Sequence, residues 1–227
     1  MTTNIDVVIP TLNAARSIAC TLASLRGDHD LKLAITVCDG GSHDDTTTIA
    51  RQAGADVVVA GPGPGRGRQL AAGAMSGNAP WILFLHADTT LSMGWAAAVR
   101  RFTAAPAPKA GYFRLRFDSA DSRARRLERL VAWRCRALGL PYGDQGLLIE
   151  RAFYQRTGGF RSLPLMEDVD LARRIGRRHL VALDAEAVTS AARYEHDGWL
   201  ARPMRNLGCL ALYFAGLSPG IIRRLYG

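Results

Sequence analysis

Four short, continuous apolar runs, Val7 to Ile9, Leu33 to Val37, Val57 to Ala60 and Trp81 to Leu85, limit the possible folds more than any other feature of the chain. None alternates apolar with polar residues, so each reads as a strand covered on both faces. Between them lie stretches of helical spacing. Ile18, Leu22 and Leu25 recur on one helical face before Gly27, and Asp44-Asp45-Thr46 reads as the acidic opening turn of a helix that ends before Gly54. Successive strand, helix, strand winding predicts an α/β fold with a mostly parallel central sheet and helices on both faces. In such a sheet the ligand crevice lies at the carboxyl ends of the strands. The chain has 227 residues and is 48% hydrophobic, enough to bury a substantial core as one domain.

The loops that follow these strands hold the polar residues. Strand one runs into Pro10-Thr11-Leu12-Asn13, strand two into Asp39-Gly40-Gly41-Ser42, and strand four into His86-Ala87-Asp88-Thr89, so one crevice receives all three. Gly and Ser also serve ordinary turns and helix caps. An acid placed just past a buried strand nevertheless needs a partner, and a ligand amide or ribose would supply one. The stretch Gly61-Pro62-Gly63-Pro64-Gly65-Arg66-Gly67-Arg68 combines glycines that let the backbone approach a ligand with arginines that fork phosphate oxygens. It reads as a diphosphate clamp or as a surface loop, and it matches neither the dinucleotide fingerprint nor the P-loop.

Charge and cysteine usage narrow the classes further. The net charge is +9, carried almost wholly by arginine, with Lys32 and Lys109 the only lysines. Codon usage, phosphate-bearing ligands and an anionic membrane surface each account for such a balance, and no nucleic-acid partner is expected. Cys20, Cys38, Cys135 and Cys209 are far apart and show no paired spacing, which fits neither a disulfide framework nor a zinc site and points to a reducing cytoplasm. The opening residues lack the basic start and apolar middle of a signal peptide, so the mature protein is expected to begin at Met1. No run reaches the roughly 18 apolar residues of a membrane span.

Together these motifs resemble glycosyltransferase family 2, whose members have the GT-A fold, a Rossmann-like nucleotide-binding architecture. Val7-Val8-Ile9-Pro10-Thr11-Leu12-Asn13 resembles the family's opening strand, Asp39-Gly40-Gly41-Ser42 its nucleotide-binding turn, and Leu85-His86-Ala87-Asp88-Thr89 its metal-binding Asp-x-Asp region. Tyr142-Gly143-Asp144-Gln145-Gly146 and Met166-Glu167-Asp168-Val169-Asp170-Leu171 resemble its acceptor-side acidic motifs, as in a bacterial subgroup of small members. The resemblance implies one domain over 1–227, with a nucleotide-sugar-binding half at 1–90 and an acceptor-side half at 91–227. It implies an inverting transferase that moves a sugar from a nucleotide-diphosphate donor, uracil being the first choice of base, to an acceptor hydroxyl.

Residue by residue, the resemblance implies donor contacts from Pro10, Thr11, Asn13, Asp39 and Ala87, with the diphosphate held by Arg66 or Arg68. Leu12 stands where the family often has an aromatic residue. Asp144 and Gln145 would meet the acceptor or sugar. A divalent ion, Mn2+ or Mg2+, would be held by Asp88. His86 replaces the first acid of the motif and, like the late His196, is a further ligand candidate that suits manganese better than magnesium. Asp168 would be the catalytic base, with Glu167 orienting the acceptor or a basic group. Helical geometry agrees: a helix starting near Leu165 or Met166 puts Asp168 on one face with Leu171 and Ile175, in the first turn, where the dipole favours an acid.

The second half predicts a strand over Gly111 to Phe117 and an amphipathic helix over Asp121 to Leu138, with Leu127, Leu130, Val131, Cys135 and Leu138 on one side and arginines on the other. Arg173, Arg174, Arg177 and Arg178 follow the Glu167-Asp168 motif. The stretch from Leu207 to Tyr226 is apolar around Arg223-Arg224, suited to core packing or to the membrane interface. The expectation that follows is peripheral contact with the cytoplasmic membrane face and an acceptor that is lipid-linked or otherwise amphiphilic. Two rival classes share parts of the pattern: a nucleotidyltransferase, which would place its glycine-rich loop directly after strand one, and a non-catalytic binder of nucleotide sugars or carbohydrate.

Overall fold

Thr3–Thr11 form β1, whose residues from Ile5 onward are all buried, which is why the run shows no alternation. The computed structural model describes residues 3–27, 30–59, 65–105 and 110–226. Neighbouring side chains of β1 point to opposite faces of the sheet, as the pleat requires. Val7 and Ile9 enter one core with Ile18, Leu22, Val99 and Phe102, while Val8 enters another with Cys38, Leu70, Ile82 and Leu171.

The first half winds as expected. After β1 come α1 (Ile18–Ser24), β2 (Leu31–Asp39), α2 (Thr46–Gln52), β3 (Asp56–Val59), α3 (Arg66–Met75) and β4 (Trp81–Phe84), and β3, β2, β1 and β4 pair in parallel. Of the glycine-rich stretch, residues 60–64 lie outside the described residues. Helix α3 packs very closely on the sheet: a Cβ at Gly73 would sit 2.3 Å from Val8 Cγ1 and 2.6 Å from Cys38 Sγ.

Antiparallel pairing enters with the second half. Its elements are β5 (Thr89–Leu91), α4 (Trp95–Ala104), β6 (Ala110–Phe117), α5 (Ser122–Leu138), β7 (Leu147–Glu150), α6 (Arg151–Arg156), α7 (Glu167–Ile175), β8 (Leu180–Thr189), α8 (Ala192–Asp197), α9 (Ala201–Phe214) and α10 (Pro219–Tyr226). Strand β7 runs antiparallel to both β4 and β6, β6 runs parallel to β8, and β5 runs antiparallel to β8. One eight-stranded sheet results, in the order β3-β2-β1-β4-β7-β6-β8-β5. The sheet is parallel through β3, β2, β1 and β4 and becomes mixed where β7 and β5 join it. Helices cover both faces, as the core partition shows.

The expected amphipathic helix is α5, capped by Asp121, whose Oδ1 accepts from the Arg123 N–H at 2.7 Å. The apolar stretch after Leu207 divides between roles: Cys209, Leu210 and Ile222 are buried, whereas Phe214, Ile221 and Leu225 are exposed. Among the described residues, no helix is long and apolar enough to cross a membrane.

Candidate active site

Four loop and helix ends bring charged side chains to one polar crevice of about 290 Å³. Arg66 opens α3, His86 and Asp88 follow β4, Gly143 and Asp144 lie in a short 3-10 turn before β7, and Asp168 is in the first turn of α7. Met166, at φ 64°, turns the chain sharply into α7, whose first turn carries Glu167, Asp168 and Asp170. Acids there complement the helix dipole. Asp168 is half-buried while Leu171 and Ile175 on the same face are core residues, so the carboxylate sits at the boundary between core and crevice. Its Oδ2 accepts from the Gly143 N–H at 2.9 Å and its Oδ1 from the Val169 N–H at 2.8 Å, which fixes both its position and that of the Asp144 turn. A Cβ at Gly143 would lie 2.4 Å from His86 Nε2, so any side chain there would displace the imidazole.

Arg66 is the hub of the cationic side. Its Nε donates to Glu167 Oε1 at 2.5 Å, and its Nη1 lies 3.1 Å from His86 Nε2. A guanidinium has no acceptor, so that imidazole nitrogen accepts and carries no proton. Burial alone would lower the Arg66 pKa, but the carboxylates of Glu167 and Asp168 outweigh it and hold the group firmly charged. Glu167 is itself buried, and burial pushes its carboxyl up against the opposing charge of Arg66.

Asp144 is the most perturbed acid. Burial pushes its carboxyl up to about 6; Arg134 opposes the rise, and the charges of Asp168 and Asp88 add to it. Its Oδ1 is buried and has no hydrogen-bond partner. Among the described residues, no group of three or more histidine, cysteine or acidic side chains closes into a preformed metal site. Asp88 and the orphaned oxygen of Asp144 nevertheless offer hard oxygen donors in one crevice, the set a divalent cation takes when ligand phosphates and water complete its shell.

The other predicted residues fall outside this crevice lining. Pro10 and Thr11 are buried, and Asn13 is exposed at φ 52°, its backbone N–H donating to Ser42 Oγ and its Oδ1 accepting from the His43 N–H. Leu12 beside it is 61% exposed. Asp39 is buried and accepts from Thr11 Oγ1, Ser42 Oγ and the Gly41 and Ser42 N–H groups. Burial would raise its pKa, yet these bonds hold it below the ordinary value. The carboxylate thus pins the first two strand-end loops together. Gln69 on α3 donates to the carbonyls of Thr11 and Cys38, tying both loops to the helix that presents Arg66.

Ala87 is buried, its carbonyl accepting from Thr21 Oγ1 at 2.8 Å. Gln145 sits behind the crevice rather than on it: it is 1% exposed, donates to the Phe113 carbonyl, and accepts from Cys135 Sγ and Arg134. Of the two arginines, Arg66 enters the crevice and Arg68 lies on the exposed side of α3. His196 is exposed and is not among the lining residues; it pairs at 2.9 Å with Asp197, which also holds the lining residue Arg202. Arg134 was not anticipated, and Tyr142 only as a member of the acceptor-side motif. The guanidinium of Arg134 lies 3.5 Å from the centre of the Tyr142 ring and is the main charge opposing the rise at Asp144. A signal existed: Leu127, Val131, Arg134 and Leu138 recur at helical spacing, which puts an arginine inside the apolar stripe of α5.

Comparison with known proteins agrees with this picture. An uncharacterized glycosyltransferase of Mycobacterium tuberculosis, and one of Mycobacterium bovis, are each 34% identical over 90 residues, 40% of this chain and 39% of the relative. The match thus spans about two fifths of those relatives' length. Among solved structures, the mannosyltransferase PcManGT from Pyrobaculum calidifontis, in complex with GDP-Man and Mn2+, superposes with a TM-score of 0.63 at 20% identity, over 81% of this chain and 56% of that one. Glucosyl-3-phosphoglycerate synthase from Mycobacterium tuberculosis, in complex with Mn2+ and UDP-glucose, gives 0.58 at 18% identity, over 83% and 70%. These likenesses show the fold, which is GT-A. The family described as Glycosyl transferase family 2 matches residues 6–161, more than half of the chain. With its GT-A sheet and strand-end acids, the chain belongs to glycosyl transferase family 2.

Proposed function

We propose that the protein transfers a sugar, with inversion, from a nucleotide-diphosphate donor to an acceptor hydroxyl. The observation that carries this reading is the convergence of Arg66, buttressed by Glu167, with three carboxylates, Asp88, Asp144 and Asp168, in a single crevice. The GDP-mannose and UDP-glucose in the two structural relatives support a nucleotide-sugar donor. The nucleoside would lie along the ends of β1 and β2, near Pro10, Thr11, Asn13 and Asp39, with Ala87 shaping the turn beside them. Asp39 would act there through the loop it holds, since its own acceptor positions are occupied. The diphosphate would face Arg66, whose guanidinium is aimed by Glu167 and His86.

In the transfer step the acceptor oxygen attacks the anomeric carbon, the bond from that carbon to the diphosphate oxygen breaks, and its electron pair leaves with the nucleoside diphosphate. Asp168 accepts the hydroxyl proton, held in place by the Gly143 and Val169 N–H groups. Arg66 offers positive charge to the departing diphosphate. Asp88 and Asp144 would hold the divalent ion, manganese or magnesium, which when bound neutralises phosphate charge. Engagement of His86 by Arg66 favours a supporting role over metal ligation, and Gln145 would support the acceptor side from behind.

Asp168→Asn tests the assignment. Melting temperature and affinity for UDP-glucose or GDP-mannose, whichever stabilises the wild type with manganese, should stay near wild type, while transfer falls about 100-fold or more. Near-normal transfer by the folded variant would remove Asp168 from the role. A wild-type protein that binds donor but never releases nucleoside diphosphate is instead a non-catalytic binder.

A further inference from the structure

A second cavity, between α5 and α9, is mainly apolar where the crevice is polar. It has a volume of about 290 Å³, close to the lower end of the roughly 300–1,000 Å³ typical of small-ligand sites, and its walls are almost wholly apolar. Leu130 and Trp133 from α5 face Met204 and Leu207 from α9, and each of the four is more than half exposed. Side chains of this size closing on one another would bury that surface; here they stay apart and leave an open apolar channel. Tyr142 and Asp144 line both this groove and the polar crevice, so the two are continuous. At the junction the Arg134 guanidinium lies over the Tyr142 ring. A molecule occupying both spaces would need a polar hydroxyl-bearing head and an extended apolar tail.

We propose that the acceptor is an amphiphile whose hydrocarbon chain lies between α5 and α9 and whose hydroxyl reaches Asp168 past Tyr142. This inference rests on the transferase reading, because it assigns the groove to the substrate of that same site. Continuity with the crevice is what selects a substrate chain over other apolar occupants. The exposed Phe214, Ile221 and Leu225, by contrast, line neither cavity.

The test uses n-alkyl β-D-glucopyranosides from methyl to octyl, each below its micelle concentration, titrated calorimetrically into the full chain. Affinity should rise about threefold to fourfold per added methylene. Leu130→Glu and Leu207→Glu, both at exposed positions and neither in the crevice, should flatten the series. Stabilisation of these variants by UDP-glucose or GDP-mannose with manganese should remain that of the wild type, which also shows that they fold. Equal affinities for methyl and octyl glucosides, or the same chain-length series in the variants, would overturn the proposal. So would a dimer that Leu207→Glu dissociates, or binding to phosphatidylglycerol vesicles that Leu207→Glu abolishes without a glucoside series, because the groove would then serve a second copy or a bilayer. Failure of every nucleotide sugar to bind the wild type would strike the transferase reading instead, and it is read in a separate experiment.

Discussion

Asp144 holds a carboxylate where burial and two neighbouring acids disfavour its charge, and the consequence is a stability that depends on pH. Its pKa rises from the ordinary carboxylate range to about 6 on folding. Between those values the folded chain keeps a proton that the unfolded chain releases, so stability falls as pH rises through the window and the full penalty is present above it. Asp144→Asn keeps the shape and removes the charge. It should therefore be more stable than wild type at pH 7.5, by on the order of 1–2 kcal/mol after allowance for the residue's partial exposure, with the difference vanishing near pH 4. Urea unfolding at the two pH values measures this, and an Asn variant no more stable at pH 7.5 would contradict it. The same residue illustrates how far single positions are legible in sequence. That polar groups cluster after the strands follows from winding alone. Which of them face the crevice does not, because Arg66 and Glu167 are 101 residues apart in the chain yet share a 2.5 Å ion pair. Asp39 and Gln145 look as reactive as Asp88 in the sequence, but each has spent its hydrogen-bonding capacity on the protein around it.

Elements are held to one another by a few polar fasteners, and Arg151 at the start of α6 is the clearest. Its guanidinium pairs with Asp6 of β1 at 2.5 Å and donates to the carbonyls of Ala74 and Ala79, binding the end of α3 and the approach to β4. Both side chains are largely removed from water. Arg151→Met would leave Asp6, among the described residues, with only the Ala79 N–H for a partner, and should cost about 3–5 kcal/mol, the usual result of stranding one member of a buried pair. Asp6→Asn combined with Arg151→Met should cost less than the sum of the two single changes. A cost below about 1 kcal/mol for Arg151→Met would mean that water already screens the pair. At this scale the parallel half was readable, since each strand and crossover helix lies consecutively in the chain. Strand β8 was not: its inward residues are Leu183, Ala185 and Ala187, and alternation written largely in alanine gives a weak periodic signal. The antiparallel partners of β5 and β7 lie too far along the chain for local pattern to pair them.

Across the whole molecule, a net charge of +9 and a crevice of carboxylates pull a nucleotide diphosphate in opposite directions. Among the described residues the cations lining the crevice are Arg66, already committed to Glu167, and Arg202, already paired with Asp197, while Asp88, Asp144 and Asp168 repel the diphosphate. Donor binding without a divalent cation should accordingly be weak, and each of donor and manganese should tighten the other by the same factor. A donor present at about 100 times its dissociation constant adds roughly 2.7 kcal/mol to folding stability. For a chain of this size that is a rise in melting temperature of about 5–11 °C. UDP-glucose or GDP-mannose should produce such a shift only with manganese, and excess chelator should return the protein to its unliganded melting temperature. Asp88→Asn should lose the manganese-dependent part of the shift while melting, without ligand, near the wild type, because the Asp88 side chain faces the crevice rather than the core. A full donor shift in chelator, or an unaltered manganese response in Asp88→Asn, would mean that the protein's own cations suffice and that Asp88 holds no metal.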